Sequence, residues 1–393
     1  MAQVSCEWTE QVLRLRLEGR IDSSNAPAAE KEITEYAAAH PHTSVEIDME
    51  KLEYISSAGL RVILRIRKND PDLKILNASP EVYEILEMTG FTEMMPVEKA
   101  YRRFSVEGCE ILGEGSNGIV YRYDPDTVVK VYRNADALPE IRRERELARK
   151  ALILGIPTAI PYDVVRVGEG YGSVFELLNA KSFSKLIAAE PEKLNFYVEQ
   201  FVDLLKKIHS TEVSPADMTD MKAVALDWAA FLQEYLPEEQ GKKLTELIRS
   251  VPERHTMIHG DYHTNNVEVQ DGEVLLIDMD TLSFGHPVFE LASMYLGFVG
   301  FGEMNRESAE RFMKLPYETM CRIWRKSLAL YLGTEEETRI GEVEKKAMVI
   351  GYARLMRRTI RRMGLDSREG RETAEKCRAH LASLLEEVDS LEF

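Results

Sequence analysis

Two histidines, an aspartate and two asparagines fall within His259-Gly-Asp-Tyr-His-Thr-Asn-Asn266, a polar density that folding alone does not require. His259 and His263 are spaced to share one face of a helix, which suggests zinc. The glycine after His259 and the Asn-Asn pair behind it disfavour a regular helix, so zinc is not expected. Downstream, Glu273-Val-Leu-Leu-Ile-Asp-Met-Asp280 reads as a strand that ends in two acids. Asp261, Asn266 and Asp278 together would supply a base and two oxygen ligands, the set needed for phosphoryl transfer with Mg²⁺.

A second group lies upstream. Leu112-Gly-Glu-Gly-Ser-Asn-Gly-Ile-Val120 fits G-x-G-x-x-G-x-V, with Gly113, Gly115, Gly118 and Val120 at the fixed positions and Ser116 inside the loop. A strand follows, Thr127-Val-Val-Lys-Val-Tyr132, where a dinucleotide-binding turn would have a helix, so the glycines read as a hairpin that closes its backbone over phosphates. Lys130 sits inside that apolar strand, where a solvated lysine is out of place, and it is expected to face a cleft and hold the α- and β-phosphates of ATP. Such a lysine needs a carboxylate from a neighbouring helix. The helix Ile141 to Ala151 offers Glu144 and Glu146. Glu144 has Leu147 and Ala148 three and four residues on and so borders the buried face, whereas Glu146 has Arg149 and Lys150, which favours Glu144.

The elements that must position these groups change character near residue 100. Before it, strands at Val12–Leu17, Ser44–Asp48 and Leu73–Leu76 alternate with helices at Ala26–Ala39, Gly59–Lys68 and Pro80–Met88, which predicts a small α/β domain with helices on a mixed sheet. After it come a β-rich lobe to about residue 178 and a mostly helical lobe from about 179 to 393. The expected division is 1–100 and 101–393, the second part bilobal α+β with a ligand cleft between its lobes. Within the helical lobe, Arg354-Leu-Met-Arg-Arg-Thr-Ile-Arg-Arg362 reads as a solvated helix face with salt bridges.

A net charge of -17 argues against nucleic acid as a partner, since phosphate binding needs clustered Lys and Arg. Four scattered cysteines, without a Cys-x-x-Cys pair, support neither a disulfide framework nor a thiolate metal site. No apolar run reaches the length of a membrane span and no signal-peptide pattern opens the chain, so a cytoplasmic protein without a membrane partner is expected.

The first segment resembles a STAS domain, the fold of bacterial anti-sigma-factor antagonists. The resemblance rests on Leu17-Glu-Gly-Arg-Ile-Asp22, Leu52-Glu-Tyr-Ile-Ser-Ser-Ala-Gly-Leu-Arg61 and Ser79-Pro-Glu-Val-Tyr-Glu-Ile-Leu-Glu-Met-Thr-Gly-Phe91. In that family the serine of an Asp-Ser-x-Gly turn at the second helix is often phosphorylated. Ser57 takes that position here, with Ser56 in place of the usual Asp, so Ser57 is either a regulatory phosphosite or an ordinary helix N-cap.

Residues from about 105 onward resemble the aminoglycoside phosphotransferase and choline kinase branch of the protein-kinase-like fold. Its H-G-D-x-x-x-x-N loop matches His259 to Asn266, and its I-D-x-[DE] strand matches Ile277 to Asp280. The resemblance implies Asp261 as catalytic base, Asn266 and Asp278 as Mg²⁺ ligands, and Lys130 with its glutamate as the nucleotide clamp. It also implies that the backbone of Val174-Phe-Glu-Leu-Leu178, with Glu176 and Leu178, meets adenine. Glu290 stands where the family more often has Asp. His259 is expected to be structural and His263 has no assigned role.

The implied activity is an ATP- and Mg²⁺-dependent phosphotransferase acting on a hydroxyl of a small molecule, with a regulatory STAS domain that can engage a protein partner. The acidic balance of the helical lobe suits a polar or cationic acceptor. A second reading is a signalling protein whose kinase lobe phosphorylates a protein hydroxyl, Ser57 among the candidates.

Overall fold

Leu13, Leu15 and Leu17 are almost wholly buried, while Arg14 and Arg16 between them reach solvent. This period-2 burial holds a strand to one face of a core, each leucine contributing about 1.5–3 kcal/mol. The computed structural model describes every residue except 1, 2, 10, 116 and 136. Its contacts divide the chain into two units, residues 1–107 with 164–172, and residues 108–163 with 173–393.

The first unit runs β1 (Gln3–Trp8), β2 (Val12–Ile21), α1 (Ala26–Ala39), β3 (Ser44–Ile55), α2 (Ser57–Asn69), β4 (Lys74–Ala78), α3 (Pro80–Met88) and β5 (Val97–Lys99). The sheet order is β1-β2-β3-β4-β5, with β1 antiparallel to β2 and the remaining pairs parallel. The parallel pairs require crossovers, which α1, α2 and α3 provide. Arg103 and Phe104 add a short parallel pairing with Arg166 and Val167.

Several details differ from the sequence reading, among them the continuation of β2 to Ile21 and the short strand β5. The edge strand β1 was not anticipated, although Val4, Cys6 and Trp8 alternate with polar residues along it, because the alternation is short and Val4 and Cys6 are only half-buried. β3 continues past Asp48 to Ile55, with Met49, Leu52 and Ile55 buried. Helix α2 begins at Ser57 and not at Gly59, because Ser56 is its N-cap and accepts the Gly59 N–H at 3.4 Å. Ser57 is therefore the first helical residue and is exposed, which corrects its reading as the cap.

In the second unit, β6 (Ile111–Glu114), β7 (Gly118–Arg122) and β8 (Thr127–Tyr132) form an antiparallel meander followed by α4 (Leu138–Ile153). The helical part includes α5 (Leu194–Ser210), α6 (Val288–Tyr295) and α7 (Glu337–Met363), packed around buried Phe201, Tyr262, Phe298, Trp324 and Tyr352. A hairpin of β9 (Val267–Gln270) and β10 (Glu273–Leu276) delivers the chain to Asp278.

Candidate active site

The hairpin β6–β7 needs glycine at a defined point. A Cβ on Gly118 would stand 2.3 Å from the Val131 carbonyl oxygen, so a side chain there would force β7 away from β8. The Gly115 N–H donates to the Gly118 carbonyl at 2.9 Å and closes the turn, while Gly113 lies opposite Val120. Ser116 lies outside the described residues. Beside it, Asn117 Nδ2 donates to Asp280 Oδ2 at 3.1 Å, tying the turn to the acids beyond β10.

Val120 pairs with Lys130 across β7 and β8. Lys130 Nζ donates to Glu144 Oε1 at 2.7 Å and to Asp278 Oδ1 at 3.1 Å. Burial disfavours its charge, but Glu144 and Asp278 outweigh that and raise its pKa. Glu144 is only 4% exposed, and the Tyr132 hydroxyl donates to its other oxygen. Glu146 faces solvent. The two positions are separated by the helix face, since Glu144 lies with Ile141, Leu147 and Ala148 on the buried side of α4.

The loop His259–Asn266 is held from beneath. Gly260 adopts φ 84°, and a Cβ there would lie 2.7 Å from the Thr281 carbonyl oxygen, so this residue is glycine on both counts. Glu290, fully buried on α6, accepts the His259 N–H at 2.5 Å and the Gly260 N–H at 3.0 Å. Burial would push its carboxyl up, but His209, His259 and the Gly260 N–H hold it below the usual carboxylate range. His209 Nε2 lies 3.9 Å from Glu290, an ion-pair distance too long for a hydrogen bond. The Gly260 carbonyl accepts from Ser293 Oγ at 2.8 Å and from Arg354 Nη1 at 3.0 Å.

His259 is bonded on both sides. Its Nδ1 accepts the Asp261 N–H at 3.3 Å and its Nε2 faces the Ile277 carbonyl at 3.1 Å, an arrangement that the neutral Nε2–H tautomer satisfies completely. Asn266 Nδ2 donates to the Asp261 carbonyl at 3.0 Å. Among the described residues the Asp261 carboxylate meets only His263, whose Nε2 is 3.6 Å away. Burial would raise the Asp261 carboxyl, yet His263, then His259 and Arg354, bring it down to about 2. The carboxylate is thus ionised at neutral pH and available to accept a proton.

Asp278 occupies the left-handed region at φ 65°, a conformation that a non-glycine residue adopts at some cost. Asp280, two residues on, is pushed up to about 7 by burial, then by Asp278 and Glu144. Among the described residues no three His, Cys, Asp or Glu side chains form a cage for a metal. Mg²⁺ does not need one, because it commonly takes one or two protein oxygens and completes its shell with phosphates and water. Hard oxygen donors at Asp278 and Asn266, and crowded negative charge at Asp278 and Asp280 that a cation would relieve, fit that ion.

At the end of the strand Gly170–Glu176, the Glu176 N–H donates to the Ile160 carbonyl at 3.0 Å and the Leu177 N–H to the Asp126 carbonyl at 2.8 Å. Among the described residues the Leu178 N–H donates to no backbone carbonyl. Tyr132, Asp280, Arg354 and the clamp made by Glu290 were not assigned roles from sequence. Tyr132 is two residues from Lys130 on one strand and so shares its face, a signal that was available. Arg354 corrects the reading of its stretch as a solvated face, because it turns inward to the Gly260 carbonyl.

Residues 108–312 match the phosphotransferase enzyme family and residues 3–103 match the STAS domain. In the first part, the chain is 35% identical over 85 residues to a Bordetella bronchiseptica protein named as an anti-sigma factor antagonist, spanning 21% of this chain and 72% of that protein. It is 24% identical over 99 residues to an anti-sigma F factor antagonist of Paenibacillus polymyxa, 24% of this chain and 85% of that protein. Among solved structures, a choline/ethanolamine kinase family protein from Mesorhizobium loti aligns with TM-score 0.47 and 15% identity, covering 71% of this chain and 88% of that one. The ADP-bound aminoglycoside phosphotransferase APH(2'')-Ib aligns with TM-score 0.49 and 15% identity, covering 77% and 98%.

Proposed function

The chain belongs to the phosphotransferase enzyme family, with a STAS domain ahead of the phosphotransferase domain, and from that premise we propose that it transfers the γ-phosphoryl group of ATP to a hydroxyl of a small-molecule acceptor. The observation that carries this reading is Lys130, held between Glu144 at 2.7 Å and Asp278 at 3.1 Å in the same site as an ionised Asp261.

The glycine-rich turn covers the phosphates, Lys130 neutralises them, and the backbone of Glu176 to Leu178 receives adenine. Asp278 and Asn266 would hold Mg²⁺, which when bound offsets the charge of the phosphate oxygens. Asp261 accepts a hydrogen bond from the acceptor hydroxyl and orients it. The hydroxyl oxygen bonds to the γ-phosphorus, the bond from phosphorus to the β,γ-bridging oxygen breaks, and the displaced electron pair leaves with ADP. The hydroxyl proton passes to the Asp261 carboxylate and then to solvent. The STAS domain regulates this reaction through a protein partner.

The test is ADP release by the full-length protein with ATP and Mg²⁺ across a panel of hydroxyl compounds, with intact-mass measurement of the enzyme in parallel. Acceptor-dependent ADP release is expected. Self-labelling without any small acceptor would favour a protein hydroxyl instead, and no nucleotide binding in the presence of Mg²⁺ would overturn the assignment.

A further inference from the structure

The charge around Asp261 is lopsided. Toward the glycine-rich hairpin lie Asp278, Asp280 and Glu144, with Lys130 among them. On the α7 side stands the guanidinium of Arg354, whose charge bears on Asp261, and His263 lies 3.6 Å from the Asp261 carboxylate. Arg358, one turn further along α7, also lies within electrostatic reach of Asp261.

This arginine stripe lacks the local ion pairs that several other arginines of the helical lobe make. Arg306, Arg311, Arg339 and Arg368 each pair with a glutamate three or four residues away. From Ile350 to Met363, α7 contains five arginines and no acid. Arg357 pairs with Asp227 at 3.0 Å, but among the described residues Arg358, Arg361 and Arg362 have no carboxylate within ion-pair distance. Arg354, Arg358 and Arg361 are spaced by four and three residues and therefore share one helix face. Arg354 is pinned at the site end by the Gly260 carbonyl, with its guanidinium 5.8 Å from the Trp228 ring centroid. Arg358 lies 5.7 Å from the Phe301 ring centroid, which steadies its guanidinium without neutralising it. Burial, then Arg362 and Arg354, lowers the pKa of Arg358, and Asp261 opposes them.

Unopposed arginines beside a phosphate-transfer centre suit an anion and repel a cation. Guanidinium groups take phosphate or carboxylate through paired N–H donors. Building on the phosphotransfer reading, we propose that the hydroxyl acceptor carries a phosphate or carboxylate group, bound by Arg358 with Arg361 or Arg362, while its hydroxyl faces Asp261. The helix rise puts Arg358 about 6 Å beyond Arg354 along the axis, so the anionic group and the reacting hydroxyl belong to one compact molecule. The local field thereby overrides the acidic balance of the lobe, which on its own pointed to a polar or cationic acceptor.

Glycerol, glycerol 3-phosphate and 3-amino-1,2-propanediol share a three-carbon hydroxyl backbone and differ in charge. Their binding to the full-length protein is measured by calorimetry, with the ATP site already filled by Mg²⁺ and a non-hydrolysable ATP analogue. Glycerol 3-phosphate is expected to bind about ten-fold or more tightly than the other two, and Arg358→Ser or Arg361→Ser to remove most of that preference. Arg311→Ser, outside the stripe, should leave it unchanged. Equal or absent binding of glycerol 3-phosphate, or a preference indifferent to Arg358→Ser and Arg361→Ser, would overturn the inference. Failure of the ATP analogue to bind would instead sink the phosphotransfer reading on which it rests.

Discussion

The carboxylate of Glu290 lies 3.0 Å from the backbone nitrogen of Gly260 and accepts its N–H, so a side chain on α6 sets the conformation of the loop that carries Asp261. Glu290→Ala would leave two buried N–H groups without partners. A loss of about 3–5 kcal/mol in denaturant unfolding is expected, with Glu290→Asp much milder because it keeps the charge. The folded-state pKa of Glu290 is depressed, so its contribution is present above the unfolded value and is lost as pH falls through the folded value. Equal stability of Glu290→Ala and the parent protein at neutral pH would refute the clamp.

Asp261→Asn removes the proton acceptor and leaves the phosphate contacts. Turnover should fall about 10²-fold or more while ATP affinity stays close to that of the parent. Because His263 and its neighbours outweigh burial and hold Asp261 at about 2, the parent should show no acid limb from this residue between neutral pH and about pH 4. A pH–rate profile checks this, and an Asp261-dependent inflection near neutrality would contradict it.

Glu144 and Glu146 are two residues apart and face opposite sides of α4, and only Glu144 meets Lys130. Steady-state kinetics of Glu144→Gln should show turnover reduced about ten-fold relative to Glu146→Gln, since a mispositioned lysine no longer meets the phosphates. Tyr132→Phe, which frees the second oxygen of Glu144, should fall between them. The reverse order for the two glutamates would place the clamp elsewhere.

Much of this site could be read locally. The glycine spacing from Gly113 to Gly118, Lys130 in an apolar strand and the run from His259 to Asn266 are constraints written over a few neighbouring residues. The choice of Glu144 needed only helix periodicity. What escaped required tertiary placement. Arg354 belongs to a basic run in which Arg358, Arg361 and Arg362 are exposed, and only the packing of α7 turns it to the Gly260 carbonyl. Asp280 differs from an ordinary strand-end acid because the fold buries it and sets Asp278 and Glu144 against it. β1 escaped for the opposite reason, since an edge strand of six residues whose apolar members are only half-buried carries a weak local signal, although Val4, Cys6 and Trp8 do alternate with polar residues.

Asp280 offers a readout independent of turnover. Burial, then Asp278 and Glu144, push its carboxyl up to about 7, so near that pH about half of the molecules carry its proton. A cation held beside Asp278 would favour the ionised form and expel that proton. Calorimetry of Mg²⁺–nucleotide binding at pH 7 in buffers of different ionisation enthalpy should report release of about half a proton, abolished in Asp280→Asn. The raised acid also destabilises the fold as pH rises from the unfolded value through about 7. Asp280→Asn should therefore unfold at higher denaturant than the parent at pH 8 in the absence of Mg²⁺. No proton release in the parent would remove Asp280 from the site's electrostatics.

Adjacent serines at the start of α2 have separable roles. Ser56 caps the helix through the Gly59 N–H, whereas Ser57 is exposed as the first helical residue and its side chain makes no hydrogen bond among the described residues. Ser56→Ala should cost about 1 kcal/mol in unfolding and Ser57→Ala no more than about 0.5 kcal/mol. A phosphate on Ser57 would face the open N–H groups and the positive end of the helix dipole, so the modified domain should remain folded. Its added charge would act outward, on whatever protein docks there. Ser57→Asp should accordingly alter partner association or kinase activity without lowering stability, and phosphopeptide mapping from the native host should find the group on Ser57. Phosphate found only on Ser56, or a loss of stability in Ser57→Ala as large as in Ser56→Ala, would exchange the two assignments.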